Sequence, residues 1–134
     1  MLRVVLDTNV LISAIISDGK PRELLKKGIS KKQFSIITSD LLLKELEVVL
    51  SRPKFKTSQD EIHRIMLLLI QTGEVVNVKS KLSVIKEDPK DDMVIATAYD
   101  GRADMIVSED SHLLKLGNFK GIRITSVEQM LSYL

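Results

Sequence analysis

The 134-residue sequence predicts an α/β fold, a three-layer α/β/α sandwich with a mainly parallel central sheet of about five strands. Three observations point there. Short β-branched apolar runs stop abruptly at polar residues, which suits strands buried on both faces. Between them lie longer stretches with apolar residues at helical spacing, opened by Ser, Thr or Asp and closed by Gly or Pro. Strand and helix signals alternate along the whole chain, the signature of crossover units and a parallel sheet with helices on both sides.

Leu2 to Leu6 is the first strand, ending at Asp7. Thr8 and Asn9 offer cap chemistry to an apolar helix, Val10 to Ile16, which closes near Ser17-Asp18-Gly19. A short basic helix follows Pro21, from Arg22 to Lys27, and stops near Gly28. Phe34 to Thr38 is a second strand, and Ser39 or Asp40 caps a helix that runs to about Ser51 before Pro53. Thr57 or Ser58 caps the next helix, through about Gln71, with Glu61 placed as a capping-box partner. Val75 to Val78 is a third strand, and the polar segment from Lys79 to Lys90 reads as loop. A small-residue helix begins at Asp91 or Asp92 and ends at Gly101. Met105 to Ser108 is a fourth strand, Ser111 to Leu116 a short helix, Ile122 to Thr125 a fifth strand, and Ser126 to Leu134 a final helix.

Composition narrows the function classes. A hydrophobic fraction of 44% with 28% charged residues is that of a globular chain, and its length fits one domain over residues 1–134. Zero cysteines removes disulfides, thiolate zinc sites and cysteine nucleophiles together. There is no apolar run long enough for a membrane span and no signal-peptide pattern, so the expected location is the cytoplasm. No Gly-x-Ser-x-Gly elbow or phosphate-cradling glycine loop occurs. Twenty Lys and Arg against 18 Asp and Glu give a net charge of only +2, so function has to be read from where the charges sit.

Open parallel sheets bind ligands at the carboxyl ends of their strands. Asp7 follows the first strand and Glu109-Asp110 the fourth, so both ends present acids on one sheet edge. Glu45 falls on the apolar stripe of its helix with Leu41, Leu42, Leu46 and Val49, where an unpaired charge costs several kcal/mol and needs a partner. Asp91 and Asp92 open a helix, where acids also complement the dipole. Each acid has a simpler reading: Asp7 and Asp110 as helix caps, Glu45 reaching the rim. Taken together they suggest a shared cation, because clustered carboxylates repel. Oxygen-only ligation, with no cysteine and no histidine at matching spacing, favours Mg²⁺ or Mn²⁺ over zinc, and such a site supports attack of water on a phosphodiester.

Asp7-Thr8-Asn9 after an apolar strand, Ser39 to Leu46, Asp92 to Ala98 and Val107-Ser108-Glu109-Asp110 resemble, in order and across essentially the whole chain, the four motifs of PIN domains. The stretch Asp88-Pro89-Lys90-Asp91-Asp92 is similar to the branch of VapC-like toxin components of toxin-antitoxin pairs. This resemblance implies a Mg²⁺- or Mn²⁺-dependent ribonuclease, usually dimeric, with an antitoxin as partner. It places Asp7, Glu45, Asp92 and Asp110 in the acidic quartet, with Asp91 as rival to Asp92. Thr8, Asn9 and Ser108 match polar positions that support the first and last acids, though capping and turn bonding explain them as well.

An RNA substrate calls for cations near the acids. Lys20, Arg22, Lys26 and Lys27 form one basic group, Arg52 and Lys54 another, and either could be only a solvated face. With aromatics at 4%, backbone grip fits better than base stacking. The helix carrying Leu67 to Ile70 is apolar on more than one side, which reads first as core and next as a dimer face. His63 and His112 are lone histidines expected at the surface, although His112 follows Asp110 closely enough to approach the acids. Competing functions are a non-catalytic nucleic-acid- or partner-binding module, and an RNA-processing nuclease outside a toxin-antitoxin pair. A phosphotransfer domain is disfavoured, because Asn9 stands where an aspartyl phosphatase needs its second Asp.

Overall fold

The computed structural model describes residues 1–86 and 88–134. Six strands form one sheet in the order β3-β2-β1-β4-β6-β5. They are β1 (Arg3–Leu6), β2 (Ser35–Ser39), β3 (Glu74–Val76), β4 (Met105–Val107), β5 (Asn118–Phe119) and β6 (Ile122–Thr125). All neighbours pair in parallel except β5 with β6. The helices are α1 (Thr8–Ile16), α2 (Lys20–Ile29), α3 (Asp40–Leu50), α4 (Gln59–Thr72), α5 (Pro89–Asp100), α6 (Ser111–Leu116) and α7 (Val127–Tyr133). A 3₁₀ turn at Pro53–Phe55 links α3 to α4.

Alternation along the strands feeds two cores. Val4, Leu6, Ile36, Met105 and Val107 face α1, α2, α3, α4 and α7, whereas Val5, Ile37, Ile106 and Ile124 face α5 and α6. This is the expected three-layer sandwich, with one strand more than expected. The sixth, β5, is two residues long and joins β6 through Lys120 and Gly121, both at positive φ, 49° and 89°. That is a two-residue primed hairpin turn, too short to leave a periodic signal.

Close packing is visible at Gly28, where an added Cβ would lie 2.8 Å from two ring carbons of Phe34, itself fully buried. The irregular stretch after β3 is tied down by Asp100, which accepts from the Lys79 and Ser80 amides and from the Ser80 hydroxyl. At the carboxyl end of β2, Ser39 caps α3 through the Leu42 amide (3.2 Å), and its hydroxyl meets Thr97 of α5 at 2.7 Å. Capping at α4 differs from expectation. Ser58 accepts from the Glu61 amide, but Glu61 receives the Ser58 hydroxyl rather than its amide, and the full capping box occurs at α7 with Ser126 and Gln129.

α4 is less buried than its composition suggests. Ile62 and Leu69 enter the core, Ile65 and Met66 pack at its margin, and Leu67, Leu68 and Ile70 are exposed. Among the described residues, no helix is long and apolar enough to cross a membrane.

Candidate active site

β1 and β4 are neighbours in parallel register, Leu6 opposite Val107, so the residues after them emerge side by side. The Asp7 amide donates to the Val107 carbonyl at 3.0 Å and closes the seam. Asp7 occupies the cap position of α1, and its carbonyl receives the Val10 and Leu11 amides, yet its side chain makes no capping bond. Its Oδ2 instead accepts the Ser108 hydroxyl at 2.7 Å, and Ser108 Oγ accepts the Asp110 amide at 3.0 Å. This relay ties the first acid to the last and sets the Ser108 proton toward Asp7.

Asp110 does two jobs. Its Oδ1 caps α6 through the His112 and Leu113 amides at 2.9 and 3.2 Å, and its carboxyl borders the same cleft as Asp7. That cleft holds about 220 Å³ and is lined by Asp7, Asn9, Glu45, Val49, Arg52, Asp88, Lys90, Asp91 and Asp110. Glu45 reaches it half-buried from α3, on the helix face that also buries Leu42 and Leu46.

Of the two adjacent aspartates, Asp91, the rival, borders this cleft with Asp7, Glu45 and Asp110, and Asp92 does not. α5 starts at Pro89, earlier than expected, because Asp88 caps it by accepting the Lys90 amide (3.0 Å) and Pro89 supplies a preformed first turn. Asp91 thereby falls on the buried face with Val94, Ile95 and Ala98, at the i, i+3, i+4, i+7 spacing of one helix stripe. Asp92 points elsewhere. Its Oδ1 accepts the Val84 and Ile85 amides at 2.9 and 2.8 Å, and it lines a separate depression with Leu41, Val78 and Met93. The apolar stripe after the two aspartates carried the signal that separates them.

The clustered acids perturb one another. Burial pushes the Asp7 carboxyl above the ordinary carboxylate range against the pull of the Ser108 hydrogen bond, and the Glu45 and Asp110 charges add to the rise. Asp91 is pushed up to about 7, first by burial and then by the adjoining Asp110 carboxyl. Asp91 is only 5% exposed, and its Oδ2 has no hydrogen-bond partner among the described residues. An orphaned buried carboxylate oxygen among further acids, with an oxygen-rich donor set, fits a hard divalent cation.

Residues 3–112 match the sequence pattern of the family described as PIN domain. The chain belongs to the PIN domain family. PIN domains are in general metal-dependent nucleases, and the fit of the Asp91 cleft to a cation agrees with that. An uncharacterized protein of Methanocaldococcus jannaschii is 29% identical over 119 residues, covering 86% of this chain and 75% of that protein. Two solved structures share the fold. One is the VapBC2 complex of Rickettsia felis bound to a DNA fragment from its promoter, with TM-score 0.61 and 15% identity, covering 93% of this chain and 98% of that one. The other is a toxin-antitoxin complex from Klebsiella pneumoniae, with TM-score 0.59 and 17% identity, covering 89% and 94%.

Other candidate residues of this PIN domain divide by place. Arg52 lines the cleft, and Lys54 lies 5.0 Å over the Phe55 ring in the adjoining 3₁₀ turn. The α2 group is engaged elsewhere. Arg22 donates to the Ala14 and Ile15 carbonyls at the end of α1 and pairs with Asp18 at 2.6 Å, and Lys20 pairs with Glu128 at 3.2 Å. Arg22 and Lys26 border an apolar groove of about 420 Å³ between α1, α2 and α4, and Lys27 is half-buried on the same helix. None of these four lines the acidic cleft. Asn9 is exposed at the cleft wall, whereas Thr8 is buried with its hydroxyl unpartnered among the described residues. Sequence reasoning passed over Lys90 and Asp88, which line the cleft; His112 is exposed, as expected, and stands beside Asp91 and Asp110.

Proposed function

We propose that this PIN domain is an endoribonuclease dependent on Mg²⁺ or Mn²⁺, acting in the cytoplasm as the toxin component of a toxin-antitoxin pair. The observation that carries the reading is the convergence of Asp7, Glu45, Asp91 and Asp110 on one cleft, with a buried Asp91 oxygen unpartnered. These acids would hold the ion. When bound, such an ion activates the attacking water and offsets charge on the leaving oxygen of a phosphodiester.

The chain's own residues supply the rest. The Ser108 hydrogen bond to Oδ2 fixes the orientation of the Asp7 carboxylate, which lines the cleft. Glu45, half-buried on α3, completes the set of carboxylates lining the cleft, any of which not spent on the ion can take a proton from the attacking water. Arg52 and Lys90 border the cleft and can grip substrate phosphates. With the four acids set aside, 14 acids face 20 bases, so the remaining surface carries +6 and attracts a polyanion.

A protein partner also finds surface. The apolar groove beside Ile65 and Leu68, with Leu67 and Ile70 exposed nearby, suits an antitoxin segment or a second copy in a homodimer. The likeness of fold to the two toxin-antitoxin structures supports the pairing.

Incubating the protein with labelled single-stranded RNA and Mn²⁺ or Mg²⁺ tests the reading. We expect cleavage that EDTA abolishes and that Asp7→Asn reduces by at least about a hundredfold, with circular dichroism unchanged. Metal-independent cleavage, or cleavage undiminished in Asp7→Asn, overturns it.

A further inference from the structure

The acidic cleft has a nitrogen donor at its edge. His112 Nδ1 lies 4.0 Å from Asp91 Oδ2 and 3.8 Å from Asp110 Oδ1. Both separations exceed a hydrogen bond, so the imidazole is bonded to neither carboxylate. The three side chains each offer a donor atom within 4.8 Å of the other two. Asp91 Oδ2, the atom nearest the imidazole, is the buried oxygen without a hydrogen-bond partner among the described residues, and its side chain is 7% exposed.

The spacing has a physical meaning. Two donors each about 2.1 Å from one ion stand roughly 3.0 Å apart at right angles and about 4.2 Å apart across it. Gaps of 3.8 and 4.0 Å therefore fall within the span of donors flanking an ion and are too wide for direct hydrogen bonds. The surrounding chain fixes the backbone that carries the imidazole, whose side chain is 44% exposed and free to turn toward the acids. The His112 amide donates to Asp110 Oδ1 at 2.9 Å, so the histidine and the carboxylate it faces are parts of one turn. Next to it Leu113 is fully buried and anchors that turn in the core.

We infer that His112 Nδ1 joins Asp91 and Asp110 as a ligand, making a mixed nitrogen and oxygen site that selects Mn²⁺ over Mg²⁺. The inference rests on the reading of the cleft as a divalent-ion site and adds a ligand outside the acidic quartet. Mg²⁺ favours oxygen donors and gives up water reluctantly, whereas first-row transition ions gain from imidazole. One nitrogen among carboxylates is thus a discriminator. It leaves Mg²⁺ held by oxygen alone and adds a bond for Mn²⁺.

Mn²⁺ titration by calorimetry, with pulsed electron paramagnetic resonance of the loaded protein, provides readouts independent of cleavage. In the wild type we expect imidazole ¹⁴N modulation on the Mn²⁺ signal and Mn²⁺ bound at least about tenfold more tightly than Mg²⁺. In His112→Ala the modulation should vanish and Mn²⁺ affinity fall about tenfold, with Mg²⁺ affinity changed less than about threefold. Mn²⁺ bound without that modulation, modulation surviving in His112→Ala, or Mn²⁺ affinity unaffected by the substitution overturns the inference while leaving the acidic site intact. A folded wild type that binds no Mn²⁺ at millimolar concentration overturns both.

Discussion

Replacing Asp91 by asparagine should stabilise the metal-free protein at neutral to alkaline pH, and the size of the effect follows from the cleft. Burial and the Asp110 carboxyl raise Asp91 from an ordinary 3.8 to about 7. At about 1.4 kcal/mol per pH unit, ionising it in the folded state costs roughly 4 kcal/mol before screening. The cleft is open to water and the strain is shared with Asp110, so about 1–2 kcal/mol should remain. The folded protein holds the Asp91 proton where the unfolded chain has lost it, so the contribution of this group to stability is fully present below about pH 4 and is lost as pH rises through about 7. Burial raises Asp7 too and acts in the same direction. Asparagine cannot ionise, and its advantage should be absent near pH 4 and complete near pH 8. Thermal unfolding in EDTA across that range should show the variant melting roughly 3–10 °C higher at the alkaline end. Added Mn²⁺ should reverse the order, because only the wild type keeps the full acid set. A variant less stable than wild type at pH 8, or a gain that does not change with pH, would refute the picture of a strained acid pair.

Two further substitutions test the fold around the site. Asp92→Ala removes the acceptor of the Val84 and Ile85 amides, and it should cost about 1–2 kcal/mol in urea unfolding while the folded fraction keeps its cleavage rate. Loss of cleavage in a folded Asp92→Ala protein would return that residue to the catalytic set. Gly28→Ala presses a methyl against the buried Phe34 ring and should cost about 1–3 kcal/mol, and a change under about 0.5 kcal/mol would show that the ring can yield.

The layers of this fold were legible because the central strands β1, β2, β4 and β6 are short apolar runs cut off by polar residues, and α3, α4, α6 and α7 each open on a capping Ser or Asp. Asp7 and Asp110 were legible for the same reason, since a strand end fixes where its next residue emerges. Glu45 was placed by helical arithmetic on an apolar stripe. Asp91 and Asp92 are adjacent, and choosing between them requires the true start of α5. Starting the helix at the aspartates hides the role of Asp88-Pro89, whereas Pro89 at the first position makes Val94, Ile95 and Ala98 define the inward face. The basic residues resisted such reasoning because a cation's partner is set by tertiary contacts. Arg22 looks free in the sequence and is bound to the end of α1 in space. The closeness of His112 to Asp110 is readable from their spacing, whereas its relation to Asp91 spans two helices and is not.

The polar groups of the site also do structural work at the strand ends. A strand buried on both faces has no alternation of apolar and polar residues to set its register, and Val4, Val5 and Leu6 are all buried. Hydrophobic burial alone would tolerate a slip of β1 against β4, which moves the chain by about 3.3 Å per residue. The bonds beyond the apolar run do not tolerate it. The Asp7 amide must reach the Val107 carbonyl, and the Ser108 hydroxyl must reach the Asp7 carboxylate while accepting from Asp110. A slip would leave these buried groups unpaired, at about 1–3 kcal/mol each. The register that best satisfies the polar edge is therefore the one that brings the first and last acids together, so the folding requirement and the geometry of the cleft are met by the same few hydrogen bonds.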